Sequence, residues 1–287
     1  MKIALLIHVH TNPEQVERLV SRLRHNEIDI YINVDAKVDI NEFADQIKGV
    51  YYIKNRVEVR WGRFSQVQQI LNSFEEIAAS GVTYSHILFI SGQDYPAKPM
   101  DEIVNFLKNN TDKSYIDYHQ LGNDDWSNLM RKRYEYWFFL KENDIRNKKL
   151  VKKGLQMLGF KRKYPFPTVY YGSCWFCLNM DVVKYLLHFT EKHPDVVEFF
   201  RHSGCSDELY IQSVLLNSEL KNTLINSIYR YFDWSEAGKS PKVLTIEDYP
   251  YILESGAWFA RKLDMNKDEK LFDELDKKNS PSENEGE

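Results

Sequence analysis

Lys2-Ile3-Ala4-Leu5-Leu6-Ile7-His8-Val9, followed at once by Asn12-Pro13-Glu14-Gln15, decides the architecture of this chain. The first eight residues form a nearly unbroken apolar run of strand length, the pattern of a parallel strand covered on both faces. Asn12 stands where a helix cap belongs, Pro13 takes the first helical position, and Gln15 is placed to reach back to the cap as in a capping box. Val16, Leu19, Val20 and Leu23 then recur at i, i+3, i+4 and i+7, which gives the helix one apolar stripe. Ile28 to Val34 reads as a second strand ending at Asp35, so the opening unit is β-α-β.

The pattern continues outward from there. Val50 to Ile53 reads as a short strand, and Ser65-Gln66-Val67-Gln68 opens a capped helix carrying Val67, Ile70, Leu71, Phe74 and Ile77 on its inner face. His86 to Ser91 is another buried strand, closed by the loop Gly92-Gln93-Asp94-Tyr95-Pro96, and Met100 to Leu107 continues as a helix. Strands alternating with helices predict an α/β sheet whose ligand crevice lies beyond the carboxyl ends of the strands. Asp35 and Gln93-Asp94 sit at such ends. The expected organisation is a single domain over residues 1–266, with a nucleotide-binding half in 1–120 and an acceptor and catalytic half in 121–266. A polar tail, 267–287, follows, its end disordered.

Composition bounds the function. With 287 residues, 43% of them apolar and 14% aromatic, the chain buries a substantial core, and a net charge of −4 does not mark its surface for nucleic acid. Anion binding must come from local clusters. Cys174, Cys177 and Cys205 make an odd count behind a start, Met1-Lys2-Ile3, that already reads as strand. A reducing cytoplasm is therefore expected. Cys174 and Cys177 have C-x-x-C spacing, but strand alternation points them to opposite faces and no second pair completes a zinc site, so they read as packing. No apolar run approaches the roughly 20 residues that span a bilayer, so any membrane contact is peripheral. From Asp124 the sequence turns aromatic and basic, through Trp126, Arg131-Lys132-Arg133-Tyr134, Tyr136, Trp137 and the cationic stretch Lys148 to Lys163. That reads as a solvated face, or as a surface for anionic headgroups or an acceptor.

Two constellations carry chemistry. In Ser203-Gly204-Cys205-Ser206-Asp207-Glu208-Leu209-Tyr210, Ser206 reads as a helix cap with Glu208 in the first turn, where the helix end favours an ionised carboxylate fit to act as a general base. Asp207 and Glu208 could equally do no more than favour the helix dipole. Lys239, Lys242, Arg261 and Lys262 flank a capped helix from Thr245-Ile246-Glu247-Asp248 to Ser255-Gly256, and cations so placed could clamp a diphosphate in place of a metal. An acidic D-x-D is missing: the central strand ends Ser91-Gly92-Gln93-Asp94, with a single carboxylate. A metal-dependent alternative would pair Asp94 with Asp124 or Asp125, which as neighbours in an extended loop point apart. No P-loop, dinucleotide fingerprint or G-x-S-x-G is present. His8 and His10 flank a strand end, as packing or substrate contacts.

Six segments occur together in order: Ile32-Asn33-Val34-Asp35-Ala36-Lys37, Trp61-Gly62-Arg63-Phe64-Ser65-Gln66-Val67, Ile90-Ser91-Gly92-Gln93-Asp94-Tyr95-Pro96, Gly172-Ser173-Cys174-Trp175-Phe176, Ser206-Asp207-Glu208 and Phe259-Ala260-Arg261-Lys262-Leu263-Asp264. In this the chain resembles the core-2/I-branching β-1,6-N-acetylglucosaminyltransferase family, which includes peptide O-xylosyltransferases, and looks like a compact bacterial member over residues 3 to 266. The resemblance implies a GT-A-like fold, a mixed central sheet flanked by helices, and inverting transfer from a UDP-sugar, UDP-GlcNAc foremost. It implies no metal or other cofactor, and a glycan or lipid-linked glycan as acceptor.

Residue by residue, Glu208 matches the base of the family's S-P-D-E motif, without the proline. Lys262 matches the phosphate-binding lysine of F-A-x-K-F-D, with Leu263 in place of phenylalanine, Arg261 beside it and Lys242 as a second cation. Val9, Val34 and Asp35 resemble positions that hold the uridine, and Asp94 the donor-sugar side, bordered by Trp61 or Ser65. Trp61, Phe232 and Trp234 make the acceptor surface, where a sugar face stacks on aromatic rings. A non-catalytic carbohydrate- or lipid-binding protein using Trp126 to Trp137 is the alternative from another class.

Overall fold

The computed structural model describes residues 1–138, 154, 161–236 and 240–279. At its centre β1 (Lys2–Val9) lies between two parallel neighbours, β2 (Ile28–Val34) and β4 (Tyr84–Ser91), with β3 (Tyr51–Tyr52) beyond β2 at the edge. The helix α1 (Pro13–Leu23) makes the crossover between β1 and β2. On the other side β9 (Phe176–Asn179) runs antiparallel to both β4 and β6 (Ser114–Ile116), and β10 (Leu224–Ile225) closes that edge. The seven strands stand in the order β10-β6-β9-β4-β1-β2-β3, a mixed sheet.

The apolar run of β1 serves two cores because its side chains alternate across the sheet. Ile3, Leu5, Ile7 and Val9 face α1, α4 (Met100–Lys108) and the helix Glu269–Asn279. Ala4 and Leu6 face α3 (Phe64–Ala78) and the helices Met180–Lys192 and Tyr210–Leu216. The sheet is thus flanked by helices on both faces, the expected GT-A-like arrangement.

The cap of α1 forms as expected, Asn12 accepting from the Gln15 amide. Gln15 reaches the cap through its side chain, Oε1 accepting from the Asn12 side-chain amide at 3.3 Å. It also donates to the carbonyls of Gly92 and Leu263, at 2.7 and 3.3 Å, and accepts from the Met265 amide at 2.8 Å. The residue placed to finish a cap thus also ties the helix to two loops around the strand ends. The helix α3 begins at Phe64, one residue before the expected cap Ser65, and Gln66 accepts from the Gly62 amide.

Two features differ from expectation. The segment after β4 is not only a loop: β5 (Asp94–Pro96) pairs antiparallel with β12 (Phe259–Arg261), which runs parallel to β11 (Arg230–Phe232), making a second, three-stranded sheet. The expected tail contains the helix Glu269–Asn279, whose Leu271, Phe272 and Leu275 are wholly buried and whose Asp276 pairs with Arg18 and Arg22 of α1. An apolar stripe hidden in a highly charged stretch makes this helix part of the domain. The end expected to be disordered, 280–287, lies outside the described residues, as does most of the cationic stretch 148–163. Among the described residues no helix is long and apolar enough to cross a membrane.

Candidate active site

The register of the main sheet sets Val9 level with Val34, and His8 with Ser91, so three parallel strands end together. There the Asp35 amide donates to the Val9 carbonyl at 2.9 Å and the Gly92 amide to the His8 carbonyl at 3.0 Å. Val9, Val34 and Asp35, all buried, form one edge. The Asp35 carboxylate accepts from the Lys37 amide at 2.9 Å and pairs with the Lys37 ammonium at 3.4 Å. His10, just past β1 and exposed, is held below its ordinary pKa by partial desolvation and by Lys37, Lys262 and Arg261, with Asp35 opposing. Lys262 lies beside this edge, since the Leu263 amide that follows it donates to the Gln93 carbonyl at 3.0 Å. It is half-buried and, among the described residues, has no carboxylate partner.

The second sheet delivers the neighbouring cations. Arg261 stands opposite Asp94 across β12 and β5. Asp94 is fully buried, and its Oδ2 accepts from the Ser91 amide (2.8 Å), the Ser91 hydroxyl (2.7 Å) and Arg261 Nη1 (3.1 Å). Arg261 Nη1 also donates to Ser91 Oγ. Arg230 Nε closes to 2.6 Å of Asp94 Oδ1, and the Trp175 ring stacks against both guanidiniums, its centroid 4.9 and 4.3 Å from their carbons. Asp94, expected on the donor-sugar side, is the internal counter-charge of two arginines. Arg230 went unassigned in the sequence, where its only mark is a cation within the aromatic run Tyr229-Arg230-Tyr231-Phe232.

Lys242 is not a free second cation. Its ammonium pairs with Asp248 at 2.8 Å and Asp233 at 3.5 Å. Asp248 also closes the Thr245 capping box, so one residue caps a helix turn and binds this lysine. Lys239 lies outside the described residues.

The residues named for the metal-dependent alternative do not come together. Asp94 is engaged by two arginines, and Asp124, in place of lying in an extended loop, caps α5 (Asp125–Arg131) through the Ser127 amide at 2.9 Å and hydroxyl at 2.6 Å. Asp125 is exposed in that helix's first turn. No cluster of three metal-ligating side chains exists among the described residues.

Ser206 does not cap a helix. Ser206–Glu208 form a 3-10 turn after Cys205 (φ 50°), and the Ser206 hydroxyl donates backward to the Phe200 carbonyl at 2.6 Å. The turn is pinned to three distant segments by backbone bonds: Cys205 N–H to the Gly62 carbonyl (2.9 Å), Gly204 N–H to that of Arg133 (2.8 Å), and Gly172 N–H to that of Glu208 (2.9 Å). Position 172 admits only glycine, because a β-carbon there would lie 2.0 Å from the Asp117 carbonyl oxygen.

Glu208 Oε2 accepts from Arg133 Nη1 at 2.8 Å and from the Tyr171 hydroxyl, while Oε1 has no partner among the described residues. The side chain is 31% exposed. One oxygen fixed and one free is the disposition of a general base. Neither Arg133 nor Tyr171 was assigned this role from sequence, since both lie far from Glu208 along the chain and meet it only in the fold.

Trp61, 71% exposed, precedes the Gly62 that holds Cys205, and Trp126, 45% exposed, packs edge-on against Tyr171 at 5.2 Å. These two indoles flank the Glu208 side. Phe232 is in register with Arg261, and exposed Trp234 follows it, so that pair flanks the cations. Cys174 joins the two sides. Burial, Asp207 and Glu208 push its thiol pKa up, while Arg261 and Arg230 oppose. All three cysteines are free thiols.

The chain is thus a mixed α/β domain with cations gathered at its strand ends and a fixed carboxylate in the Ser206–Glu208 turn. The sequence model of the Core-2/I-Branching enzyme family matches residues 3–251, and the chain belongs to that family. It is similar to Xylosyltransferase 2 of Rattus norvegicus, 23% identical over 302 residues, covering 96% of this chain and 33% of that protein. It is similar also to Xylosyltransferase oxt of Drosophila pseudoobscura pseudoobscura, 23% identical over 294 residues, covering 92% and 32%. The chain spans about a third of the length of these curated relatives. Among solved structures, mouse Xyloside xylosyltransferase 1 in its apo form aligns over 92% of this chain and 98% of that one, at 9% identity and a TM-score of 0.40.

Proposed function

We propose that this chain is an inverting glycosyltransferase that moves a sugar from a UDP-sugar to a hydroxyl of a glycan acceptor, without a divalent metal. The observation that carries the reading is Glu208, with Oε2 held by Arg133 and Tyr171 and Oε1 without a partner among the described residues. The acceptor hydroxyl gives its proton to Glu208 Oε1 as its oxygen bonds to C1 of the donor sugar. The bond from C1 to the β-phosphate oxygen breaks on the opposite face, and its electron pair leaves with UDP. Lys262 and Arg261 neutralise the charge that develops on that oxygen. Arg261 is set in place by Asp94 and Ser91, so no reorganisation is needed at that moment. Val9, Val34 and Asp35 hold the uridine, and Trp61 and Trp126 border the acceptor. Alignment of the two reactants supplies much of the acceleration.

UDP-GlcNAc is the donor that the sequence resemblance to the β-1,6-N-acetylglucosaminyltransferases implies. UDP-xylose is the second reading, favoured by the names of the curated relatives. The test is UDP release from each donor with a panel of glycan acceptors, with and without excess EDTA. Turnover is expected to survive EDTA, and Glu208→Gln to lose roughly 10²- to 10⁴-fold in kcat, the usual share of general-base catalysis, while UDP affinity holds. Wild-type turnover in Glu208→Gln removes the base, and activity abolished by EDTA and restored by manganese removes the metal-free mechanism.

A further inference from the structure

We infer that Asp207 recognises the donor sugar, accepting a hydrogen bond from a ring hydroxyl or amide N–H. This rests on the transfer reaction proposed above. Asp207 is 93% buried by the complement of its 7% exposure, yet its Oδ1 has no hydrogen-bond partner and no lysine or arginine pairs with it among the described residues. A buried carboxyl left in that state is costly unless something outside the chain completes it. Its surroundings do not explain it as a structural device. It caps no helix, whereas Asn12, Asp124 and Asn179 each cap one through a side-chain bond.

The location identifies the ligand. Asp207 adjoins Glu208, which takes the proton from the attacking oxygen, and the Cys174 thiol senses Asp207 and Glu208 together with Arg261 and Arg230. Asp207 thus shares the surroundings of the attacking oxygen and of the cations that meet the leaving phosphate oxygen. The only part of the reacting pair that lies between those two oxygens is the pyranose of the donor. Its hydroxyls, or the N–H of an acetamido group, are the donors that an unpaired carboxyl oxygen lacks. A site built to pair a substrate O–H or N–H rejects analogues without it far more strongly than an apolar wall does.

The experiment compares the affinities of UDP and of UDP-sugars, by calorimetry, for wild type, Asp207→Ala and Asp207→Asn, with UDP-GlcNAc, UDP-xylose and their deoxy analogues as probes. In both variants UDP should bind within about twofold of wild type, while the gain from the attached sugar falls about tenfold, a difference of one hydrogen bond to a buried group. The deoxy donor lacking the recognised group should bind wild type and variant alike. Equal weakening of UDP and UDP-sugar, or no weakening of either, overturns the assignment. Should Asp207→Ala fail to fold, Asp207→Asn decides, since asparagine keeps the shape and loses only the charge and one acceptor. If Glu208→Gln abolishes turnover while Asp207 variants keep full donor discrimination, this inference falls and the transfer reaction stands. If wild type binds neither UDP nor any UDP-sugar, both fall.

Discussion

Replacing Tyr171 by phenylalanine tests whether Glu208 is a positioned base or merely a surface carboxylate. Tyr171 and Arg133 both donate to Oε2, and the substitution removes the first donor while leaving the ring that packs against Trp126 and under the Arg133 guanidinium. A hydrogen bond to a charged group is worth about 1.5–3 kcal/mol. At about 1.4 kcal/mol per decade, full loss of that orientation corresponds to roughly 10- to 150-fold in kcat. An opposing effect must be weighed: removing a donor from a carboxylate raises its proton affinity, which strengthens the base. The two separate with pH. Burial and the Glu208 charge hold the Tyr171 phenol above its ordinary pKa, so in wild type it remains a donor throughout a pH 5–9 assay. The acid limb of the kcat profile should therefore move to higher pH in Tyr171→Phe, and the plateau should drop by the factor above. UDP affinity should hold, because Tyr171 bonds to Glu208 and Arg133 and not to the cations at the far end. A variant with wild-type plateau and an unmoved acid limb refutes the positioning argument.

Lys262→Ala should weaken UDP binding roughly 10- to 100-fold, as loss of a charge-assisted contact does, and the deficit should shrink as salt rises; titration of UDP at two ionic strengths checks it. Asp94→Asn should destabilise the fold by about 3–5 kcal/mol, because Arg230 then stays buried without its counter-charge, and urea unfolding reads that loss. Asp207 gives a pH signature. Burial, with the Glu208 charge behind it, raises its carboxyl from the ordinary 3.8 to about 7, so the native state disfavours its ionised form. Wild-type stability should fall between pH 4 and 7 relative to Asp207→Asn, and the gap should stay constant above 7. Glu208, Cys174, Cys205 and Arg133 are the ionisable groups that interact with it, and parallel stability curves for the two proteins would dismiss the shift.

What the sequence reveals here is what periodicity and capping encode locally. The β1 run, the Asn12 cap with Pro13, and the stripe Val16, Leu19, Val20 and Leu23 suffice for the opening β-α-β because each signal spans only a few residues. Glu208 and Lys262 stood out through motif and charge. Their supports did not. Arg133 and Tyr171 meet Glu208 across 75 and 37 positions, and Arg230 meets Asp94 across the second sheet, which no local pattern announces. Local rules also misled where tertiary contacts outbid them. Ser206 carries a cap-type side chain, but the nearby Phe200 carbonyl offered a partner that burial made more valuable, and Gln15 serves the carbonyls at Gly92 and Leu263 as well as its cap. Helix Glu269–Asn279 was hidden for the opposite reason: its charged face dominates composition, and only Leu271, Phe272 and Leu275 disclose the inner one.

Under the metal-free transfer proposed above, the cations at the strand ends would do the work that a metal-dependent transferase gives to its ion. Arg230, Arg261 and Lys262 bring three positive charges, and Asp94 offsets one, so the cluster carries two, the charge of a single divalent ion. Unlike an ion in solution, these charges need no assembly: Arg230 is buried, Arg261 is set by Ser91 and Asp94, and Trp175 lies against both guanidiniums. Asp94 is central to this because two bare guanidiniums at such range would repel and splay. The carboxylate lowers the net charge but fixes its position, and for a leaving group whose charge grows only in the transition state, position counts for more than total charge. The same logic assigns Lys262 its separate part. Free of any carboxylate among the described residues, it is the one member of the cluster whose charge is not already answered from within the protein, and so the one through which a diphosphate would be felt most directly.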